Sequence, residues 1–574
     1  SGSTVEMLER AEALKNIPGV PEVVNSSACE FFDEISEYSD EFPVYDGELY
    51  YENHRGTFTS QAFVKKNNRR GEFALRNAEI LSSIAEIRFK CKYDGEELER
   101  LWKILLVNQF HDILPGSSIH EVYENTRKEY EELNRDLDIF INKKLNVLFS
   151  EKAPEAFTAV NYLNVPYTGE VKVKFPDGYN SVEYDGVKIP CVKLSDGDNK
   201  YISFIAENIP ALSGRTYRFS KDEYIFNTCV KADKYTLEND MLKIKFDDNG
   251  EMISVFDKEN DREVLDGIGN ALCIYQDKPI HESAWNLEFD YKMTPYPLKK
   301  AERIEVTRND GIAGEIKIVR KFNKSTVTQF ISLEKNSRQI DFKTQIDWHE
   351  REKVLKAHFP VSVRSLYSTS EIAHGSIGRP THYNTSYDIA RFETCMHKWV
   401  DLSESGYGVS VLNDCKYGCS VHENDIGITL MRAPICPDTT GDIGYNEFTY
   451  SLVPHAGTWQ EAGISELSYA LNNPPAVVYS SADTDSDKPF IDIKRDGIVL
   501  DVFKKAQNAD GYILRVFEAY SSRGKCSIEF SDSIESVIEC NLMEKNIETV
   551  SHSDKSFVFN IKPNEVKTFR IKFK

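Results

Sequence analysis

The stretch that decides how the helical part of the chain folds is residues 94–118, DGEELERLWKILLVNQFHDILPGSS. Its apolar residues recur at i, i+3, i+4, i+7 and i+8, at Leu98, Leu101, Trp102, Leu105 and Leu106. That spacing places them on one face of an amphipathic helix. Asp94 is a suitable N-cap, and Pro115-Gly116 cannot continue a helix. We therefore predict a helix that begins after Asp94 and a turn at Pro115-Gly116.

Two further helices flank this one. One precedes it, with apolar residues at positions 73, 75, 78 and 81, and a longer one follows, with an apolar face between Ile119 and Leu148. Ser118 and Glu121 have the spacing of a capping box for the longer helix. Three helices with short connections predict an antiparallel bundle over residues 62–150.

The signal changes after Pro154, where strand-like segments alternate with turn residues to the end of the chain. Residues 243–256, KIKFDDNGEMISVF, predict a hairpin with an Asn-Gly turn. About 420 residues of such signal exceed one sandwich, so we divide them into three domains. The predicted divisions are a small β domain at 155–230, a large β-sandwich at 231–480 and a terminal β-sandwich at 481–574. The predicted fold class is multidomain α+β, a three-helix bundle followed by all-β sandwich domains.

The composition excludes several functions. The 574 residues carry a net charge of −22, which argues against nucleic acid or an anionic membrane as the main partner. No run approaches the roughly 20 apolar residues of a membrane span, and the N-terminus has no basic region followed by an apolar run, so we expect no secretory signal in this sequence. The eleven cysteines have no paired spacing, which favours reduced thiols and a cytoplasmic location. Because the chain begins with Ser1 rather than Met, we expect it to be the C-terminal portion of a longer protein.

His111-Asp112 is the most informative local pair. A histidine that leaves a helix end beside a carboxylate can ligate a metal, with the carboxylate orienting it or binding substrate. The alternative is that His111 only caps the C-terminus of its helix. One histidine cannot hold zinc, which takes three or four ligands, and no further metal-binding spacing completes the set. The local sequence leaves both alternatives open.

Three other segments have the composition of binding loops. Residues 45–58, YDGELYYENHRGTF, interleave aromatics with His54 and Arg55, as sugar sites do. Residues 378–388 and 408–418 are polar segments between strands, and the second contains Asp414 and Lys416. Ordinary exposed loops and turns would have the same composition. Cys415 and Cys419 have no partner pair, so two buried thiols are the simpler interpretation. No acid–base pair of carboxylates can be selected by spacing.

Taken together in chain order, these motifs resemble those of glycoside hydrolase family 38 α-mannosidases, of the bacterial, vacuolar and cytosolic branch. The matching segments are residues 47–61 (GELYYENHRGTFTSQ), 108–119 (NQFHDILPGSSI), 347–350 (DWHE), 379–386 (RPTHYNTS), 412–418 (LNDCKYG), 432–434 (RAP) and 454–457 (PHAG). Any one of them is weak, but together they cover the chain from about residue 5 to its end. The resemblance is to the C-terminal two-thirds of such enzymes.

The resemblance implies a retaining exo-α-mannosidase with one zinc ion and a galactose mutarotase-like large sandwich. It implies that residues 1–61 are the tail of a catalytic α/β barrel and a connector. His111 then becomes a zinc ligand and Asp112 a residue that contacts the sugar. By the same resemblance His54 and Arg55 line the approach, and Asp414 and Lys416 lie on a sandwich loop that reaches the pocket.

The resemblance places the other zinc ligands, the nucleophile and the acid/base on the barrel, upstream of Ser1. We therefore expect no catalytic residue in this chain, and neither tight zinc binding nor mannoside hydrolysis by the chain alone. The expected partners are mannose-containing glycans and, in a homo-oligomer, further copies of the protein. One alternative is an inactive carbohydrate-binding or structural module. Another is a sandwich enzyme such as a polysaccharide lyase, which the helical block ending in His111-Asp112 disfavours.

Overall fold

The computed structural model describes residues 2–15, 17–21, 23–149, 153–197, 199–224, 226, 229–480 and 488–574. The chain forms two compact units, Ser1–Tyr51 and Glu52–Lys574. The first unit contains helices α1 (Val5–Leu14) and α2 (Ala28–Ser36) and a 3₁₀ turn at Ser39–Glu41. Neither helix buries a side chain. Caps formed by Thr4 and Ser27 satisfy their first backbone N–H groups.

The second unit begins with the predicted three-helix bundle. After a 3₁₀ turn at Arg55–Phe58 come α3 (Ala62–Phe89), α4 (Gly95–Asn108) and α5 (His120–Leu148). Their apolar faces meet in one core that includes Leu75, Leu101, Leu105, Tyr130 and Leu133. The predicted capping box at the start of α5 is wrong. Ile119 is the N-cap, and the backbone N–H of Ser118 donates instead to the Tyr123 hydroxyl at 2.8 Å.

The small β domain is built from two antiparallel sheets around an aromatic core. One has, in spatial order, Ala476–Val478, Ala156–Asn161, Ser213–Ser220, Ser181–Tyr184 and Val187–Ile189. The other has Tyr167–Lys174, Asn199–Ile209 and Cys191–Asp196. The predicted division assigned residues 476–478 to the large sandwich. In the structure these residues belong to the small β domain, because their backbone pairs with Ala156–Asn161.

The large sandwich has three antiparallel sheets, and their apolar faces form the largest core. A five-stranded sheet has Arg262–Glu263, Met252–Asp257, Leu242–Phe246, Thr236–Glu238 and Lys231–Ala232. A six-stranded sheet has Tyr296–Pro297, Ala271–Gln276, Lys353–Pro360, Asp425–Arg432, Gly418–His422 and Thr394–Cys395. A nine-stranded sheet has Arg303–Asn309, Ala313–Phe322, Ser325–Glu334, Ile340–Trp348, Gly444–Ala456, Tyr407–Asn413, Trp399–Glu404, Tyr367–Ile372 and Gly375–Pro380. The predicted hairpin at 243–256 is confirmed, and Gly250 turns with φ +71°.

The terminal sandwich packs a three-stranded sheet on a five-stranded one. The first has Ile491–Ile493, Gly524–Phe530 and Ser556–Ile561. The second has Ile498–Lys505, Tyr512–Glu518, Val566–Phe573, Ile534–Cys540 and Asn546–Thr549. The predicted boundary at residue 481 lies within residues 481–487, which are outside the described residues. Residues 1 and 150, which are the ends of two other predicted divisions, also lie outside the described residues.

Short helices connect these sheets: a 3₁₀ helix at Phe289–Met293, α6 (Ser386–Ala390) and α7 (Ile464–Asn472). Among the described residues, no helix combines the length and the apolar character that crossing a bilayer requires. The predicted fold class, a helical bundle followed by antiparallel β domains, is confirmed.

Candidate functional site

The turn that follows α4 has a conformation that only glycine permits at its end. Backbone N–H groups of Ile113 and Leu114 donate to the Phe110 carbonyl at 2.9 and 3.1 Å. Gly116 then adopts φ +89°, and a Cβ there would lie 2.3 Å from the Ser60 carbonyl oxygen. Because no side chain fits that gap, the turn is pressed against the segment that leads into α3.

His111 lies on the solvent side of this turn. Its side chain is 76% exposed, and its Nε2 lies 3.4 Å from Oδ2 of Asp112. Its ring packs on Phe110 at 4.3 Å between centroids. Gln109 is the C-cap of α4, and no hydrogen bond joins the His111 ring to the helix among the described residues. The structure therefore favours an available imidazole over the helix-cap alternative.

Asp112 is held more firmly than its neighbour. Its Oδ1 accepts the Ser117 hydroxyl at 2.9 Å, and its carbonyl accepts the Ser117 N–H and the Tyr123 hydroxyl at 3.1 Å each. Its Oδ2 remains beside His111, and the side chain is 41% exposed. A carboxylate oriented in this way can accept hydrogen bonds from a ligand hydroxyl without reorganising the turn.

By itself the pair is too small a ligand set for a metal site. No group of three or more His, Cys, Asp or Glu side chains with metal-binding geometry occurs among the described residues. Zinc takes three or four ligands, so His111 and Asp112 fit as a partial set that other residues must complete.

Exposed apolar side chains flank the pair in sequence. Leu106, Val107, Phe110 and Ile119 are each more than half exposed. A group of large apolar side chains left in water beside polar functional groups is typical of an interaction surface.

His54 and Arg55 contact the large sandwich. The backbone N–H of His54, at φ +62°, donates to Asn286 Oδ1 at 3.1 Å. Arg55 donates from Nε and Nη2 to the Ala390 carbonyl at 3.1 and 2.8 Å, and its guanidinium lies 4.5 Å from the centre of the Phe392 ring. Arg55 is buried, so these contacts anchor the segment before α3 to the loop that carries α6.

Beside this anchor lies a buried ion pair that the sequence reasoning did not select. Arg432 donates to both carboxylate oxygens of Asp277, at 2.6 and 3.1 Å, and to the Ser60 hydroxyl at 3.1 Å. A Cβ on Gly56 would lie 2.0 Å from Arg432 Nη1, so only glycine lets the backbone approach. The motif Arg432-Ala433-Pro434 could have identified Arg432 from the sequence, but no motif marked its partner Asp277.

A loop of the large sandwich caps α3. Asp442 accepts the backbone N–H groups of Gln61 and Ala62 at 2.7 and 2.6 Å, and Asp438 accepts Nε2 of Gln61 at 2.8 Å. Charge-assisted bonds at a helix N-terminus are among the stronger side-chain contacts to backbone. This cap fixes the direction of α3 and thereby the position of Ser60 beneath the His111 turn.

Lys65 ties the same elements together from within α3. Its ammonium donates to the Leu114 carbonyl at 2.8 Å and to the Ser60 carbonyl. Burial lowers the pKa of Lys65 to about 7, and the Asp442 carboxylate opposes that shift. The sequence showed only a lysine on a predicted helix, so neither its burial nor its partners could be inferred.

Lys416 is buried, and Asp414 beside it is half-buried. Asp414 Oδ2 accepts the Thr449 N–H at 2.8 Å, and burial raises the pKa of this carboxyl. The Lys416 ammonium lies 3.8 Å from the centre of the Phe448 ring, and burial lowers its pKa. Lys416 lines a cavity of about 150 Å³ together with Ala62 at the start of α3. The turn with His111 is exposed, whereas this loop is covered.

Comparison with known proteins agrees with the sequence resemblance. "Alpha mannosidase middle domain" matches residues 52–148, "Glycosyl hydrolases family 38 C-terminal domain" matches 237–440, and "Glycosyl hydrolases family 38 C-terminal beta sandwich domain" matches 497–569.

Two relatives align along nearly all of the chain. "Alpha-mannosidase 2C1" of Homo sapiens is 33% identical over 95% of this chain and 52% of its own length. "Alpha-mannosidase G" of Dictyostelium discoideum is 32% identical over 99% of this chain and 56% of its own. The chain thus spans about half the length of the curated relatives it matches.

A solved α-mannosidase from Enterococcus faecalis V583 shares the fold. It superposes with a TM-score of 0.81 over 98% of this chain and 74% of that chain, at 15% identity. At that identity the likeness concerns the fold alone. With the three domain matches and the long alignments, it leads to one conclusion: the chain belongs to glycoside hydrolase family 38 and carries the middle and C-terminal domains of its α-mannosidases.

Proposed function

We propose that this chain is part of a zinc-dependent, retaining exo-α-mannosidase that removes terminal α-linked mannose from glycans, with its nucleophile and acid/base on a segment outside this sequence. The observation that carries the proposal is the exposed His111-Asp112 pair on a rigid turn. Family membership and the greater length of the relatives support it.

His111 would contribute one imidazole nitrogen to the zinc, and the outside segment would contribute the remaining ligands. Asp112, oriented by Ser117, would accept a hydrogen bond from a mannose hydroxyl. When bound, zinc supplies Lewis acidity and a fixed positive charge for sugar hydroxyls. The nucleophile and acid would then divide the displacement into two steps with a covalent glycosyl intermediate.

The apolar side chains around the pair support a docking face for that segment. Leu106, Val107, Phe110 and Ile119 would be covered when the zinc site is completed. Such coverage would also exclude water from the site and strengthen the electrostatic interactions within it.

The other predicted sugar contacts remain predictions. His54 and Arg55 would line the approach from the side of the segment before α3. Asp414 and Lys416 stay predictions as sugar contacts, and the burial of Lys416 and the hydrogen bond from Thr449 to Asp414 support a framework role. A cytoplasmic location is supported by the eleven cysteines, which have no paired spacing along the sequence. A homo-oligomer stays a prediction.

The test is to determine the reading frame upstream of the Ser1 codon and to express both this chain and the extended protein. With an aryl α-mannoside, we expect turnover only from the extended protein. EDTA or His111→Ala should each lower that turnover by at least about 100-fold. The matched control is His552→Ala, which removes an exposed histidine of the terminal sandwich.

Two results would contradict the proposal. One is EDTA-sensitive mannoside hydrolysis by this chain alone after repurification, since the nucleophile would then lie within it. The other is an upstream frame without further metal ligands and carboxylates, which would favour an inactive carbohydrate-binding or structural module.

A further inference from the structure

A cavity of about 720 Å³ lies where the helical bundle, the large sandwich and the terminal sandwich meet. One wall is a polar stripe of α3, with Lys65, Arg69, Glu72, Arg76 and Glu79 at helical spacing. Such a stripe normally faces water on the outside of a helix, but here it lines a cavity between domains. Neither His111 nor Asp112 lines this cavity.

Four cations of the lining form no ion pair with any carboxylate among the described residues: Lys65, Arg69, Arg76 and Arg515. Arg69 is buried and donates only to neutral acceptors, the Tyr417 hydroxyl at 3.0 Å, Asn472 Oδ1 at 2.9 Å and the His397 carbonyl at 2.9 Å. A guanidinium has five N–H groups, so two of its donors have no acceptor among the residues that the structure describes.

Arg76 and Arg515 also donate to neutral acceptors. Arg76 donates to the carbonyls of Leu500 and Tyr162 at 2.7 and 3.1 Å. Arg515 donates to Thr568 Oγ1 and the Leu542 carbonyl at 3.2 Å each. Charges removed from bulk water are costly unless a counter-charge accompanies them. The lining therefore holds cations that no carboxylate in the described part of the chain contacts directly, and Glu72, Glu371 and Asp501 act on them only from a distance.

The acidic residues of the lining have other partners. Glu371 is paired with the Lys398 ammonium at 2.7 Å, and Asp501 lies 3.5 Å from His374 Nε2. Glu79 accepts the Trp102 N–H at 3.0 Å, and burial raises the pKa of this carboxyl to about 7. Protonation of Glu79 near neutral pH further reduces the negative charge of the lining.

His397 adds an unoccupied polar ring to the same wall. It lines the cavity, and its imidazole has no hydrogen-bond partner among the described residues. Burial, followed by the charges of Lys398, Arg69 and Arg379, lowers the pKa of His397 to about 3. A neutral imidazole in a positive field can donate its N–H to an anion.

The size and the rings of the cavity indicate more than a bare ion. The volume exceeds that of one inorganic oxyanion several times over, and rings of Phe73, Tyr417, Tyr469 and Phe517 contribute to the walls. Aromatic faces of this kind pack against the apolar faces of sugar rings.

We propose that this cavity binds a hexose-sized organic oxyanion of the sugar phosphate class, whose anionic group neutralises the unpaired cations of the α3 stripe. A phosphate fits better than a neutral sugar because several cations lack partners, and its oxygens match the donor forks of arginine. The proposal concerns residues within this chain and does not depend on the mannosidase proposal.

Calorimetric titration of the whole chain tests it with glucose 6-phosphate, inorganic phosphate and glucose at constant ionic strength. We expect glucose 6-phosphate to bind at least fivefold more tightly than inorganic phosphate, and glucose to show no measurable binding. Binding of glucose as tight as that of its phosphate would overturn the proposal, as would equal affinity for glucose 6-phosphate and inorganic phosphate.

Two substitutions that change the charge of the cavity lining in opposite directions distinguish an electrostatic effect on binding from a structural one. Arg515→Gln removes a lining cation and should weaken glucose 6-phosphate binding at least fivefold. Glu72→Gln removes a lining carboxylate while it keeps the acceptor for Gln109 Nε2, and should tighten binding at least threefold. The matched control, Arg495→Gln, removes a half-buried arginine of the same terminal sandwich that donates to Ser522 and does not line the cavity. It should change affinity less than twofold.

The thermal midpoint of the unmodified chain tests the proposal even if a variant fails to fold. Glucose 6-phosphate should raise the thermal midpoint more than chloride of the same ionic strength. No difference between the two anions would overturn the proposal, as would Arg515→Gln and Glu72→Gln shifting the affinity in the same direction.

Discussion

The exposed turn with His111-Asp112 and the buried loop with Asp414-Lys416 both belong to motifs of the same family, yet they differ in every physical respect. His111 has a side chain that is 76% exposed and lies in a turn held by backbone bonds. Lys416 is buried and Asp414 is half-buried, and burial shifts the pKa of each towards its neutral form. The contrast teaches that a family motif contains residues for chemistry and residues for framework. The exposure of a side chain and the groups that it contacts distinguish these two kinds of residue.

The largest expected effect on stability is at the buried ion pair of Arg432 and Asp277. Arg432→Met leaves the buried Asp277 carboxylate without its partner and should lower the free energy of unfolding by about 4 kcal/mol. Chemical denaturation measures it. The double variant Asp277→Asn with Arg432→Met should recover part of this loss, because no unpaired charge then remains. A single variant as stable as the unmodified chain would contradict the framework role.

Glu79 provides a pH-dependent test of burial. Its pKa is raised to about 7, so between its unfolded value near 4.3 and about pH 7 the folded state holds a proton that the unfolded state releases. Stability should therefore fall as the pH rises through that window. Glu79→Gln keeps the acceptor for Trp102 and should be more stable at pH 7.5 by up to about 3 kcal/mol, yet no more stable at pH 4. Denaturation of both proteins at the two pH values checks it, and a gain that is independent of pH would refute it.

Asp414→Ala tests the buried motif directly. It leaves the Thr449 N–H without its acceptor and should cost about 2 kcal/mol of unfolding free energy. Asp414→Asn keeps an acceptor and should cost less than about 1 kcal/mol. Equal losses in the two variants, measured by chemical denaturation, would show that the charge rather than the hydrogen bond matters.

The smallest expected effect on stability is at the exposed turn. His111→Ala should change the free energy of unfolding by less than about 0.5 kcal/mol, because the ring contacts only Phe110 and Asp112. Denaturation of the variant beside Asp414→Ala sharpens the contrast between the two motifs. A loss above about 1 kcal/mol would place His111 in the framework instead.

The helices and the hairpin at 243–256 were predictable because their signals are local. Apolar spacing along α4 and an Asn-Gly turn depend on neighbours in sequence. The capping box at Ser118 did not form because the Ser118 N–H donates to the hydroxyl of Tyr123, a competing local partner five residues further along the chain. Family resemblance supplied His111 and Asp112, and the structure added that one is exposed and the other held.

The partners of the site segment were beyond local inference. Arg55 meets the carbonyl of a residue 335 positions away, and Gln61 meets a carboxylate 381 positions away. A loop rich in aromatic and polar residues has the same composition whether it binds a sugar or packs on a sandwich. Only the assembled sheets show that Arg55 lies over Phe392.

Local pattern alone was sufficient for the helices, the β-rich remainder and a histidine beyond the end of α4, because helix and strand periodicity are encoded by residues close in sequence. The tertiary structure alone decided which charges are buried, which are paired and which, such as Arg69, line a cavity with no carboxylate in direct contact among the described residues. The reason is physical: desolvation and long-range pairing depend on which distant segments pack together, and spacing along the chain does not contain that information.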